Sequence, residues 1–476
     1  MLSDHPFLTR RQWLQSAACG FGSMALAGLA ARDAAAAASP LAGRPPHLPQ
    51  RAKRIIFLFM QGGPSHVDSF DYKPLLEQHD GKNFAFDDAR VLANTGQKGS
   101  SQRVMKSPWK FRQYGDSGRW VSELFPEIGQ WVDDLCFVHS LHTEGVAHGP
   151  ATLFLHCGST NLARPSFGSW VTYGLGTENE NLPGFVSISP SLGNGGARNY
   201  GNAFLPAVFQ GTALGKAGGS AAEATIRNLA NPLQNADECQ RQFELIQALN
   251  AEQARRTPDD SELAAVINSY ELAWRMQHHA PHTLDLSHET AETQALYGIG
   301  EKETDNFGRQ CLMARRLCEA GVRFVQVSYG DNTANPAWDQ HSNLPVHAQH
   351  ARRVDRPVAG LLCDLKRRGL LDDTLVWWGG EFGRTPYAEK NGTGRDHNPG
   401  GFTVWLAGGG VKPGVAFGRT DDYGHMAVED KVHMHDLHAT LLHLLGLDHL
   451  RLTYRYQGRN FRLTDVHGNV VREIIA

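Results

Sequence analysis

Ile55-Ile56-Phe57-Leu58-Phe59-Met60 runs without a polar break into Gln61-Gly62-Gly63-Pro64-Ser65-His66-Val67-Asp68. A short, continuous apolar run that halts at a Gly-Gly-Pro turn reads as a strand buried on both faces. The turn after it delivers an imidazole and a carboxylate. The pattern recurs downstream. Val322 to Val327 leads to Trp338-Asp339-Gln340-His341, and Leu375-Val376-Trp377-Trp378 runs into Gly379-Gly380-Glu381-Phe382-Gly383-Arg384. A fourth site inverts the order, with Gly394-Arg395-Asp396-His397-Asn398 ahead of the apolar run Phe402 to Leu406. In open α/β sheets the carboxyl ends of strands line the ligand crevice, so acids and histidines from distant positions can converge there. The chain therefore predicts a metal site on a mostly parallel sheet.

The spacing between these runs supports that sheet. Helical periodicity at about 304–320 and 349–368 alternates with the strands at 322 and 375. Such a βα alternation places helices on both sheet faces. A strand is also predicted over Leu135 to Leu141, a helix over Ala151 to His156 closed by Gly158, and short strands near 185–189 and 207–210. The stretch 83–119 reads as an elaborated loop, and 234–303 as a helical insertion with a helix start at Thr257-Pro258-Asp259-Asp260.

With 476 residues, 41% of them hydrophobic, the chain can bury a large core, and a formal charge of −3 argues against a general nucleic-acid or anionic-membrane partner. Residues 1–38 read as a twin-arginine export signal: Arg10-Arg11 precede a weakly apolar Ala17 to Ala31 stretch and then the small residues around Ala38. That stretch is shorter than a membrane span needs, which leaves no stable span after processing. A protein held at the membrane as a lipoprotein component is a lower-ranked reading. Residues 39–53 read as a linker and 54–476 as the working domain, placed in the periplasm or secreted. Cysteines 136, 157, 239, 311, 318 and 363 form no CxxC pair, and helical geometry would put Cys311 and Cys318 about 10 Å apart, so free buried thiols are expected.

The candidate metal ligands are His66, Asp68, Asp339, His341, Glu381 and His397, with Asp71 in reserve. Each has a plainer reading: a capping aspartate, a solvated histidine, or a Glu381–Arg384 ion pair. Their conjunction carries the metal reading. Mixed imidazole and carboxylate ligands suit zinc first, then manganese or iron; calcium, which takes more oxygens, comes last. One cation or two fits the set. His433, His435, His438 and His443 belong to a helix in which Asp436 is the cap and the leucines are core, and Arg459 and Arg462 read as surface-paired.

These motifs resemble the alkaline phosphatase-like superfamily of sulfatases, phosphatases and phosphodiesterases, and within it an exported bacterial sulfatase-like family of unknown function. The resemblance is carried by Gln61 to Asp68, Trp338 to His341, Gly380 to Pro386 and His433 to Gly446, and covers about 53–470. It implies an αβα sandwich with metals at the carboxyl edge of the sheet. Gln61 stands where relatives carry an Asp, and Glu381 where they carry a metal-binding Asp. His148 stands at the nucleophile position, counted back from Gly158, and Thr152 is a weaker candidate. The resemblance thus implies an exported metal-dependent hydrolase of sulfate or phosphate esters on a small molecule or glycan, with His148 catalytic, delivered by the twin-arginine machinery. The alternative is a catalytically inactive, metal-stabilised extracellular binding protein of the same fold.

Overall fold

The computed structural model describes residues 40–86, 101–226, 235–257, 261–333, 335–389 and 392–476. The export segment, with Arg10 and Arg11, lies outside them, as do residues 258–260 of the expected helix start.

A nine-stranded mixed sheet forms the centre, in the order Val415–Phe417, Leu135–His142, Phe402–Ala407, Thr374–Gly379, Arg54–Met60, Phe324–Tyr329, Phe185–Ile188, Thr212–Leu214, with Val432–His433 also paired to Leu135–His142. All pairings are parallel except those of Phe402–Ala407, which runs antiparallel to both neighbours. The cause lies in the connection. Parallel neighbours need a long crossover, usually a helix. Between Thr374–Gly379 and Phe402–Ala407 the chain instead makes a hairpin of Gly383–Ala388 with Arg395–Asn398 and returns directly.

The strand residues alternate between two cores. Ile56, Leu58 and Met60 face one side together with Val325, Val376 and Trp378, and Ile55, Phe57 and Phe59 face the other with Phe324, Leu375 and Trp377. Helices Asp305–Glu319 and His347–Arg367 cover the first face through residues such as Leu312, Leu317, Val358 and Leu361. Helices His148–Cys157, Phe167–Leu175 and Met434–Leu444 cover the second through Leu155, Trp170 and Leu441. The result is the αβα sandwich expected from the alternation.

Local departures have local causes. The strand expected at 207–210 is a 3-10 turn, Ala207–Phe209, started by Pro206, and the strand follows at Thr212–Leu214. The stretch after 83 contains a small antiparallel pair, Phe111–Tyr114 with Arg119–Ser122. Residues preceding the first strand lie along the domain: Arg44 N–H donates to Leu175 O at 2.9 Å and Ala52 N–H to Leu444 O at 2.8 Å. Helices Ala236–Arg256 and Ser261–Leu284 are joined by stacking of Phe243 on Trp274 at 4.6 Å. Among the described residues, Cys136, Cys157, Cys311, Cys318 and Cys363 are free thiols. No helix among the described residues is long and apolar enough to cross a membrane.

Candidate metal centre

The carboxyl ends of the strands Arg54–Met60, Phe324–Tyr329 and Thr374–Gly379 meet at one rim of the sheet because the three pair in parallel register. Two glycines let their loops close up. Gly62 has φ +107°, and a Cβ there would lie 2.7 Å from Asp339 N; a Cβ on Gly394 would lie 2.2 Å from the His341 carbonyl. Hydrogen bonds then lock the loop to its neighbours: Trp338 N–H donates to Gln61 O and Arg395 N–H to Gln340 O, each at 3.1 Å. The fully buried Trp338 anchors the segment that presents Asp339 and His341.

At this point donor atoms of His148, Asp339, His341 and His397 all lie within 4.8 Å of one another. His148 Nε2, His341 Nε2 and His397 Nε2 stand 3.2, 2.9 and 3.4 Å from Asp339 Oδ1, and the Nε2 atoms of His341 and His397 are 3.0 Å apart. The far nitrogens explain why three Nε2 atoms converge. His148 Nδ1 lies 2.6 Å from Glu381 Oε1, His341 Nδ1 3.1 Å from Glu389 Oε1, and His397 Nδ1 3.1 Å from Val146 O. Each acceptor can hold a proton on Nδ1, so that a ring giving up its Nε2 proton would turn that lone pair to the centre, as in the oriented imidazoles of metal sites. Ligands on ~2.0–2.1 Å bonds in a tetrahedron are about 3.3 Å apart, close to these spacings, so the residues fit zinc.

The same neighbours set the charge states. Burial opposes the charge of Asp339, yet hydrogen bonds from His148, His341 and His397 and the Arg384 guanidinium hold its carboxyl far below the usual range. Arg384, itself fully buried, sits 2.7 Å from Asp339 Oδ1 and also donates to Gly63 O at 3.0 Å. Burial works against protonation of His148 and His341, but the carboxylates around them win and raise both above the ordinary imidazole value. Burial lowers His397 to about 2 against its bond to Asp339.

Glu381 is fully buried and joins the centre through His148, while Gly62 N–H donates to its two oxygens at 3.0 and 3.2 Å. The Gly-Gly-Pro turn thus brings an amide to an anion, as its geometry suggests, and the anion is Glu381. Arg384 does not pair with Glu381; it turns to Asp339.

His66 and Asp68 are not brought to this point. His66 Nε2–H donates to Gly424 O at 2.7 Å, and its Nδ1 faces the Arg384 amide at 3.4 Å. Asp68 is a fully buried ion-pair partner of Arg395, at 2.7 and 3.1 Å. The 3-10 turn His66–Asp68 points both side chains toward the hairpin instead of the rim. Asp71 pairs with Lys73 at 3.0 Å. Thr152, 1% exposed, is turned into the protein. In the C-terminal helix Asp436 completes a capping box with His433, and Arg459 and Arg462 both bond Asp465.

Sequence reasoning missed Glu389, which orients His341, and left Asp396 out of the ligand set. His341, Glu389 and Asp396 form a second set of clustered donors. The signal was present: Glu389 and Asp396 flank the Gly-rich tip of the same hairpin that carries His397.

No curated protein matches the sequence. Among solved structures, the chain is similar to "Ps i-CgsB in complex with k-i-k-neocarrahexaose" at 12% identity and TM-score 0.38, covering 83% of this chain and 72% of that one. It is also similar to the PsFucS1 sulfatase of Pseudoalteromonas sp. at 11% identity and TM-score 0.36, covering 83% and 68%, and to the alkaline phosphatase of the Antarctic bacterium TAB5 at 10% identity and TM-score 0.32, covering 77% and 94%. Likenesses this distant say nothing about chemistry. The family model described as a protein of unknown function, DUF1501, matches residues 52–475, a span that holds every donor named above, and the chain belongs to that family.

Proposed function

We propose that the protein is an exported, metal-dependent hydrolase of sulfate or phosphate esters, with esters on carbohydrate included. The observation that supports it is the convergence of three histidine Nε2 atoms on one oxygen of Asp339, each imidazole oriented by an acceptor behind it. A divalent cation held by Asp339, His341 and His397, zinc first, would supply Lewis-acid polarisation of an ester oxygen. Arg384 keeps Asp339 ionised and fixed in place. Glu381 sets the tautomer of His148, the first residue of its helix, and we assign proton transfer at the ester, or acceptance of the transferred group, to that imidazole. His341, with 26% of its side chain exposed, gives the centre its open side.

A second reading, a catalytically silent metal-stabilised binding protein, is favoured by one observation. His148 is gripped between two carboxylates, and the nearby hydroxyl of Thr152 is buried. One experiment separates the readings: native protein is assayed for metal and for turnover of aryl sulfates and phosphates, alongside His148→Ala. Turnover by the native protein, lost in the variant while metal stays, supports the hydrolase. Bound metal with no turnover over a broad ester panel supports the binding protein. Loss of metal in His148→Ala makes that residue a ligand.

A further inference from the structure

A second feature opens on the same edge of the sheet. Beyond the strand Phe324–Tyr329 lies a cavity of about 350 Å³, within the range of small-molecule sites. Its wall includes Gly330, Asp331 and Ala337, from the segment that goes on to present Asp339 and His341. None of the four clustered donors lines it.

The inner lining is polar but uncharged. Gln310 and Ser328 are 5% and 4% exposed. Ser328 Oγ accepts from Gln326 Nε2 at 3.2 Å, which leaves its own proton to donate. The Gln310 carbonyl oxygen makes no hydrogen bond among the described residues, so internal partners do not fix that amide, and its terminal torsion is a soft one. Tyr329 Oη and His350 Nδ1 are 2.8 Å apart, and Phe307 meets the Tyr329 ring edge-on at 5.2 Å to give an apolar wall. The charged lining residues balance in sign, Lys302 and Arg353 against Glu303 and Asp331; Arg353 lies 3.5 Å from Glu303 and also bonds Tyr329.

Uncharged donors and acceptors beside an aromatic wall suit a ligand whose groups both donate and accept, and balanced charges do not call for an ion. We propose that this cavity binds a neutral sugar residue, with Gln310 and Ser328 hydrogen-bonding its hydroxyls and Phe307 and Tyr329 against its apolar face. The inference stands without the ester reading.

The test is calorimetric titration of the full chain with neutral mono- and disaccharides and with their sulfated and carboxylated counterparts. At least one neutral sugar should bind saturably, and Gln310→Leu and Ser328→Ala should each weaken it about tenfold, the worth of a hydrogen bond to a buried group. Ser328→Ala removes a single oxygen and keeps the test decisive should Gln310→Leu fail to fold. His397→Ala, which alters the metal centre, should bind the sugar as the parent does. The proposal is overturned if no neutral sugar binds at millimolar concentration, if binding survives both cavity substitutions, if charged counterparts bind more tightly, or if His397→Ala abolishes binding.

Discussion

Two buried regions of this molecule are rich in histidine, and they behave oppositely. At the sheet rim, His148, His341 and His397 turn their Nε2 atoms toward one carboxylate oxygen, with acceptors behind them. In the layer of the C-terminal helix, His156 and His438 each bond one backbone carbonyl, of Thr152 and Leu155, at 2.8 Å, and their other nitrogens meet no hydrogen-bond partner. Burial lowers both of these to about 4, so they are neutral core residues. Histidine number is therefore no guide to a site. What distinguishes the rim is a carboxylate in front of the rings and an oriented acceptor behind each.

The strongest way to break this contrast is to remove the carboxylate. Asp339→Ala should leave no metal on the purified protein after gel filtration, measured by elemental analysis, whereas His438→Gln should retain the full complement. Equal metal content in the two variants would erase the distinction.

Next in size is the pair that the sequence offered as ligands and the fold uses elsewhere. Asp68→Ala leaves Arg395 buried without its partner, and breaking a buried pair costs about 3–5 kcal/mol. Denaturant unfolding should show that loss while metal content per folded molecule stays unchanged. Metal loss at constant stability would return Asp68 to the ligand set.

Acid should sharpen the comparison. His66, His156 and His438 sit at about 4 in the folded protein against an ordinary 6.5, with burial the main cause. As pH falls the unfolded chain takes up protons first, so stability is complete above about 6.5 and declines toward about 4, by roughly 3 kcal/mol per histidine over the full window. Thermal melts between pH 7 and pH 4.5 should show the decline, and a flat profile would mean these rings take up protons in the fold as readily as in the unfolded chain. The smallest effect expected is that of Glu389→Gln. It keeps an acceptor behind His341 but removes the charge, and should weaken zinc about tenfold in a chelator competition, at the low end for such supporting residues. An unchanged affinity would show that Glu389 does not orient the ring.

The sheet was legible in the sequence because its strands are long apolar runs that end at Gly-rich turns. Ile55 to Met60 and Leu375 to Trp378 needed no tertiary information to be recognised. Asp339, His341, Glu381 and His397 were legible for the same reason: each follows or precedes such a run, where an α/β sheet gathers its chemistry. His66 and Asp68 obey that rule equally well in sequence. What separates them is the direction of one 3-10 turn and the presence of Arg395 opposite, a partner hundreds of positions away that no local pattern reveals. His148 was placed only through the family resemblance, counted back from Gly158, and its pairing with Glu381 needed the fold. Glu389 was missed because a carboxylate at a hairpin tip reads as solvated until a facing histidine is seen.

The donors at the rim come from both halves of the chain: His148 from a helix that follows the second sheet strand, Asp339 and His341 from a loop in the middle, His397 from a late hairpin. Gly394, by lacking a side chain, lets the hairpin touch the loop. No fragment of the polypeptide carries the completed set, so an ion bound there would be a reporter of finished folding.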